Sequence, residues 1–283
     1  MTDAAILHAP LETPSGKNAQ TENFPVGSFL IRPDLREDVH VFYRFARAAD
    51  DISDNPLLEP EKKIAALDRF AAVLNGGEDS AAPAAAAMRE NLRKTGVTAQ
   101  HGLDLLAAFK RDALQLRYRD WDDLLDYCRY SASPVGRHVL ALHGIGETAW
   151  PANDALCSAL QIINHIQDCA DDYRQLDRVY LPQDMLARRE AGTAMLAAEK
   201  SPPALRAALD DMLGLLDPML RQARDLPRKV PDIRLKLETS VIGSLAESLV
   251  RLLRRRDPLC DNVKLGKIKA GGAALRGIVR SWS

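Results

Sequence analysis

The sequence predicts an all-α fold, a single-domain helical bundle of about eight to ten helices around one core. Three observations predict it. Every long segment carries apolar residues at a period near 3.6, and none alternates in the manner of a strand. Ala and Leu are abundant, and Ala, Leu, Arg, Glu and Gln are the residues that cost least in a helix. Aromatic residues make up only 5% while apolar residues make up 46% of 283, so a large core is built mainly from aliphatic side chains. No internal repeat is visible, and no stretch is rich enough in Pro, Gly or Ser to mark a linker between domains.

Taken in order, residues 1–20 lack periodicity and read as a loose extension. Residues 34–54 form a long helix with Val39, Phe42, Phe45, Ala46 and Ala49 as its apolar stripe, and Pro56 follows its end. A second amphipathic stretch covers 59–74, and Asn75-Gly76-Gly77 opens a loop. Further helices are expected at 84–94, 99–118, 120–146, 152–175, 203–224 and 231–256, with Pro134 and Gly136 bending or breaking the fifth of these eight segments. The main domain is expected over 21–258 and a distinct basic tail over 259–283. From Arg251 onward nine Lys and Arg face two Asp, interleaved with Leu265, Ile268, Leu275, Ile278, Val279 and Trp282. That pattern suits either a solvated last helix or contact with an anionic membrane surface.

Lys plus Arg number 38 and Asp plus Glu 39, a balance that argues against nucleic-acid binding and against an acidic disordered chain. Cys128, Cys157, Cys169 and Cys260 form no C-x-x-C and read as thiols of a reducing compartment. The first residues lack the basic and apolar regions of a signal peptide, and no apolar run approaches the ~18 residues of a membrane span. A cytoplasmic protein is expected, with peripheral contact to the inner face of a membrane through the basic tail.

The chemistry concentrates in two acidic strips. At about 100° per residue, with Tyr43 at zero, Arg47 falls near 40°, Asp50 near −20° and Asp54 near 20°. One face of the first long helix thus carries a phenol, a guanidinium and two carboxylates. In the second strip Asn164, Asp168 and Asp172 again share a face, with Gln167 beside them and Arg174, Arg178 and Tyr180 downstream. Ionised carboxylates on otherwise apolar helices are costly unless paired or metal-bound. Oxygen-only donor sets suit a hard cation, and Mg²⁺ binds through a few carboxylates together with substrate phosphates. Nearby arginines suit the same phosphates. Other chemistry finds no support: Glu37-x-x-His40 is the only Glu-x-x-His, so a di-iron site is absent from the pattern. The glycine-rich nucleotide motifs and the G-x-S-x-G of serine hydrolases do not occur. His138, His143 and His165 read as core or helix-surface histidines.

Asp50-Asp51-Ile52-Ser53-Asp54 resembles the first aspartate motif of the squalene and phytoene synthases. Asn164-x-x-Gln167-Asp168-x-x-x-Asp172, followed by Arg178-x-Tyr180-Leu181-Pro182, resembles their second. The segment from Asp126 to Arg137, containing Tyr127-Cys128 and Val135-Gly136, resembles the family's middle motif. The likeness runs from about Glu22 to Lys264. Two departures narrow it: Gln167 stands where the family usually has Arg, and Ser131-Ala132-Ser133 stands for the usual Val-Ala-Gly. With Glu22-Asn23-Phe24-Pro25, these resemble the bacterial branch that makes hydroxysqualene in hopanoid biosynthesis.

The resemblance implies an isoprenoid synthase fold with a central cavity, and a Mg²⁺-dependent enzyme with several ions and no NADPH. The substrate it implies is presqualene diphosphate, which loses diphosphate and captures water to give hydroxysqualene. It implies Asp50, Asp54, Asn164, Asp168 and Asp172 as metal ligands. Tyr43, Arg47, Arg178 and Tyr180 would meet the phosphates, Tyr127 and Phe24 the cationic hydrocarbon, and Gln167, Ser131 or Ser133 the attacking water. Neighbouring pathway enzymes are expected partners, and nucleic acid is not. The alternatives are condensation of two farnesyl diphosphates, or a phytoene-type reaction, and a helical assembly factor without catalysis.

Overall fold

A computed structural model describes residues 30–281. Among these residues there are thirteen α-helices and no strand, only an isolated bridge between Arg117 and Val179. The chain divides into two compact units, the first running to Leu114 with Ala141–Gly144 added, the second holding Gln115–Leu140 and everything from Ile145. Apolar clusters form within each unit.

The first unit holds α1 (Arg36–Ser53), α2 (Pro60–Leu74), α3 (Pro83–Thr95) and α4 (Gln100–Leu114). Glu37 and Asp38 in the first turn of α1 favour the positive end of its dipole. The stripe of α1 is inward as expected: Val39, Phe42, Phe45, Ala49 and Ile52 are buried, and Ala46 packs beside them. They meet Leu67 and Phe70 of α2, Met88 of α3, and Leu105 and Leu106 of α4, with the Phe45 and Phe70 rings 6.0 Å apart. Proline at the start of α2 and α3 loses no helical hydrogen bond, because the first N–H groups have no partner inside the helix. Gly96 adopts φ +72° and caps α3 through its N–H to the Leu92 carbonyl. Buried Asp38 accepts from Asn91 Nδ2 at 2.7 Å and Lys94 Nζ at 2.8 Å, tying α1 to α3.

The second unit contains α5 (Trp121–Ser131), α6 (Ser133–Leu142, as far as Leu140), α7 (Trp150–Gln167), α8 (Cys169–Leu176), α9 (Gln183–Arg188), α10 (Pro203–Ala223), α11 (Leu226–Lys229), α12 (Ile233–Leu253) and α13 (Lys267–Ser281). Helix α7 packs against α5, α10 and α12. The expected helix 99–118 stops at Leu114, and residues 115–118 are extended instead. Their backbone is claimed by a neighbour: Val179 N–H donates to the Leu116 carbonyl and Gln183 N–H to that of Tyr118, both at 2.9 Å. The expected helix 120–146 is two helices broken at Ala132, since Pro134 has no N–H to continue the ladder. The expected helix 152–175 is likewise two, meeting at Asp168. Gly136 is required by the closeness of α6 to α7: a Cβ there would lie 2.0 Å from Asn153 Oδ1 and 2.6 Å from Cys157 Sγ.

Helix α13 lies within the stretch expected as a tail, and it packs along α12. None of the helices among the described residues is long and apolar enough to cross a membrane. Phe24 and Trp282, both singled out from sequence, lie outside the described residues.

Candidate active site

The first acidic strip sits in the last two turns of α1, with Asp54 as its C-cap. Tyr43, Arg47, Asp50 and Asp54 are all half-buried. Arg47 reaches both adjacent carboxylates, Asp50 Oδ2 at 2.7 Å and Asp51 Oδ1 at 2.6 Å. Asp51 keeps only 8% of its side chain exposed, so this guanidinium neutralises a carboxylate that would otherwise be costly to bury. The sequence reading treated Arg47 as a phosphate ligand and missed Asp51 as its partner. The i to i+4 spacing of 47 and 51 was the available signal.

The second strip spans the α7–α8 junction. Asp168 N–H donates to the Asn164 carbonyl at 2.9 Å, and Asp172 N–H to that of Asp168 at 2.8 Å. These bonds carry the i, i+4, i+8 register through the break, which keeps Asn164, Asp168 and Asp172 on one face. Asp168 is exposed, and Asn164 and Asp172 are half-buried. Gln167, beside this row, donates through Nε2 to the Val263 carbonyl, beyond α12 in the chain. Cys169, next to the strip, is buried, and burial together with Asp172 and Asp168 pushes its thiol up to about 12. It remains an uncharged thiol at neutral pH.

Asp177 takes the left-handed conformation (φ +48°) and ends α8. The chain then turns so that Arg178, Val179 and Tyr180 run beside residues 116–118. The result is an aromatic cluster. Tyr180 stacks on His165 with centroids 3.5 Å apart and on Tyr118 at 5.3 Å. Tyr127 meets Tyr118 edge-on at 5.2 Å and Tyr180 at 5.4 Å. Arg178 is buried and donates to the Tyr180 hydroxyl at 3.3 Å. His165 is buried, its Nε2 lies 3.1 Å from Gln161 Nε2, and burial and then the Arg178 charge push its imidazole down to about 3. A neutral ring therefore lines the cluster at physiological pH.

Of the sequence-derived residues, the structure brings Tyr127, Arg178 and Tyr180 together. It adds Tyr118 and His165, which sequence reasoning missed. Tyr118 carried no signal, because its place depends on the contact with Val179. His165 stood inside the second motif but read as core. At the α5–α6 break, Ser131 Oγ is shielded from solvent and makes no hydrogen bond, while Ser133 is buried and its carbonyl accepts from Asn153 Nδ2 at 3.3 Å.

Among the described residues no three His, Cys, Asp or Glu side chains converge as a closed metal cage. The donors instead come as open rows of oxygens that solvent reaches. This is the arrangement Mg²⁺ uses when substrate phosphates complete its shell, so the residues fit that ion.

Residues 17–269 match the family described as squalene/phytoene synthase. A hydroxysqualene synthase of Rhodopseudomonas palustris is 45% identical over 269 residues, covering 95% of this chain and 90% of that protein. One of Zymomonas mobilis is 44% identical over 262 residues, 92% of this chain and 88% of that protein. A squalene synthase structure from Alicyclobacillus acidocaldarius superposes with a TM-score of 0.71 at 29% identity, covering 81% of this chain and 87% of that one. A dehydrosqualene synthase in complex with ligand gives 0.76 at 19% identity over 92% and 91%, and shows the same all-α isoprenoid synthase fold.

Proposed function

The chain belongs to the squalene/phytoene synthase family, and from that premise we propose that it converts presqualene diphosphate and water to hydroxysqualene and diphosphate. The observation that carries this reading is the near-full-length likeness to hydroxysqualene synthases from two organisms. Gln167 in place of the family's arginine supports it. A neutral amide suits an enzyme that handles one diphosphate and then admits water.

Asp50 and Asp54 of α1, with Asn164, Asp168 and Asp172 of the α7–α8 junction, are the residues that would hold Mg²⁺. When bound, the ion supplies Lewis-acid neutralisation of charge on the departing diphosphate. Arg47 fixes the rotamers of Asp50 and Asp51, so the first row is ordered before substrate arrives. Arg178 and Tyr43 supply a guanidinium and a phenol for phosphate oxygens, and Tyr180 keeps the Arg178 fork oriented.

Diphosphate departure leaves a cyclopropylcarbinyl cation, which rearranges before capture. Tyr127 would stabilise positive charge through the quadrupole of its ring, with Tyr118 and Tyr180 packed against it to hold it in place. His165 adds a ring without adding a charge that would repel the cation. The terminating step adds water oxygen to the allylic carbocation, and the proton that the water gives up passes to the departed diphosphate. Ser131, whose buried hydroxyl makes no hydrogen bond, holds this water, with Ser133 next to it and Gln167 anchored on Val263.

Incubation of the protein and Mg²⁺ with presqualene diphosphate, and separately with farnesyl diphosphate, tests the reading. Hydroxysqualene from the first and no product from the second is the expected result. Presqualene diphosphate or phytoene-type hydrocarbon formed from a prenyl diphosphate would replace it with the condensing reaction. No product from any substrate would leave a non-catalytic family member.

A further inference from the structure

Helix α13 is amphipathic in an unusual sense. Its inward face is made of small residues: Ala273 is fully buried, and Gly277 is so close to α12 that a Cβ would lie 2.6 Å from the Ser240 carbonyl oxygen. Its large apolar residues point the other way. Leu275 is 63% exposed, Val279 60% and Ile278 37%, three large apolar residues on one helix, whereas other exposed leucines such as Leu57 and Leu114 stand outside it. A surface helix of a soluble protein places such residues inward and shows polar ones. Here the positions 275, 278 and 279, at i, i+3 and i+4, form one outward stripe.

The charge around the stripe is of one sign. The helix contains Lys267, Lys269, Arg276 and Arg280 and no acidic residue, although the chain as a whole is net −1. Arg276 donates to Ser248 Oγ at 3.0 Å and Arg280 to both oxygens of Glu247, so the helix is held on α12 with its stripe outward. At its C-terminal end Arg280 opens onto a cavity of about 200 Å³ that is also lined by Arg224, Arg228 and Lys236, with Glu247 as its one carboxylate. Positive charge thus continues from the helix onto its neighbours.

We propose that α13 is the surface by which this protein docks on an anionic lipid bilayer, with Leu275, Ile278 and Val279 entering the acyl boundary and Arg276, together with the arginines in excess over Glu247, meeting lipid phosphates. Apolar side chains flanked only by cations complement a bilayer that presents hydrocarbon beneath anionic headgroups. Around the helix Arg224, Arg251, Arg276 and Arg280 outnumber the single carboxylate of Glu247, so a second copy of the chain would set one net positive patch against another, which disfavours that occupant. The surface is independent of the reaction proposed above, so loss of vesicle binding with intact turnover separates the two.

The test is sedimentation of the full chain with vesicles of phosphatidylcholine, with or without phosphatidylglycerol, in low and high salt. The expected result is binding to the anionic vesicles alone, weakened by salt, and at least tenfold weaker for Leu275→Glu/Val279→Glu. Both residues are exposed, and Leu275→Ala/Val279→Ala gives the same direction without adding charge. Equal binding of the variants and the parent, or no binding of the parent to any vesicle, overturns the proposal. So does a dimer in analytical ultracentrifugation that the same substitutions dissociate, because the stripe is then covered by a second copy.

Discussion

His165 and Tyr180 stack face to face, with ring centroids 3.5 Å apart and planes inclined by 15°. One comes from the last turn of α7 and the other from the turn beyond α8, so the stack ties the second acidic row to the residues downstream of it. Truncation by Tyr180→Ala is expected to destabilise the fold by about 3–5 kcal/mol, the usual range for a buried aromatic. Tyr180→Phe keeps the stack and removes the hydroxyl beside Arg178. It should cost under ~1.5 kcal/mol in stability yet lower turnover about tenfold. Chemical denaturation together with steady-state rates separates the two effects, and a full-rate Tyr180→Phe would remove the orienting role assigned to the phenol.

Arg47 is the shared counterion of Asp50 and Asp51. Arg47→Ala takes the guanidinium away from the nearly buried Asp51. A loss of about 2 kcal/mol is expected, below the ~3–5 kcal/mol of fully buried pairs because Asp50 is partly exposed. The double variant Arg47→Ala/Asp51→Asn should recover much of the stability but not the activity. A double-mutant cycle by thermal melts reads the coupling, and additive losses would contradict it.

Metal dependence has a signature in stability as well as rate. Chelation by EDTA should abolish turnover, and Mg²⁺ should restore it. Inorganic diphosphate should raise Tm only when Mg²⁺ is present, by the stabilisation that any ligand of the folded state supplies. Asp168→Asn and Asp50→Asn should each remove that joint shift. A diphosphate shift that survives in EDTA would mean that arginines alone hold the anion.

Glu247 is the anchor of α13. Burial by itself would raise its carboxyl, but hydrogen bonds from Arg280 and Arg224 hold it below the ordinary value of 4.5. Arg251 of its own helix also faces it, 3.8 Å away. A depressed folded value means that this stabilisation is fully present above the unfolded value and is lost as pH falls through the lower one. The parent should therefore lose stability below about pH 4.5 more steeply than Glu247→Gln. Denaturation midpoints across pH 3–7 check it, with parallel curves as the contrary outcome.

Gly136→Ala tests the α6–α7 contact. With Asn153 Oδ1 2.0 Å from the new Cβ, one helix must shift, at a cost of about 1–3 kcal/mol. Pairing it with Asn153→Ala, which makes room, should recover part of the loss in thermal melts.

Several parts of this molecule are legible along the chain because their cause is local. The stripe on α1 follows from helical period, and Phe45 and Ala49 are indeed fully buried. The spacing of Asn164, Asp168 and Asp172 survives the α7–α8 break because consecutive i to i+4 hydrogen bonds carry it across. The break itself was not legible, since nothing near Asp168 forbids a helix. Residues 115–118 were read as helical for the same reason: their propensity allows it, and only the backbone bonds offered by Val179 and Gln183 draw them out.

The sequence by itself determined the helical class, the two oxygen-rich rows and their suitability for a diphosphate-bound divalent ion. Those depend on residue type and on the geometry of one helix. Only the tertiary structure decided that Tyr118 and His165 join Tyr127 and Tyr180, that Arg47 serves Asp51, that Gln167 is held by Val263, and that α13 turns its leucine outward. Each of these joins a side chain to a group it meets only after packing, or depends on which face the packing leaves open. Such choices are made by burial and by backbone hydrogen bonds between distant segments, and periodicity along a single segment does not encode them.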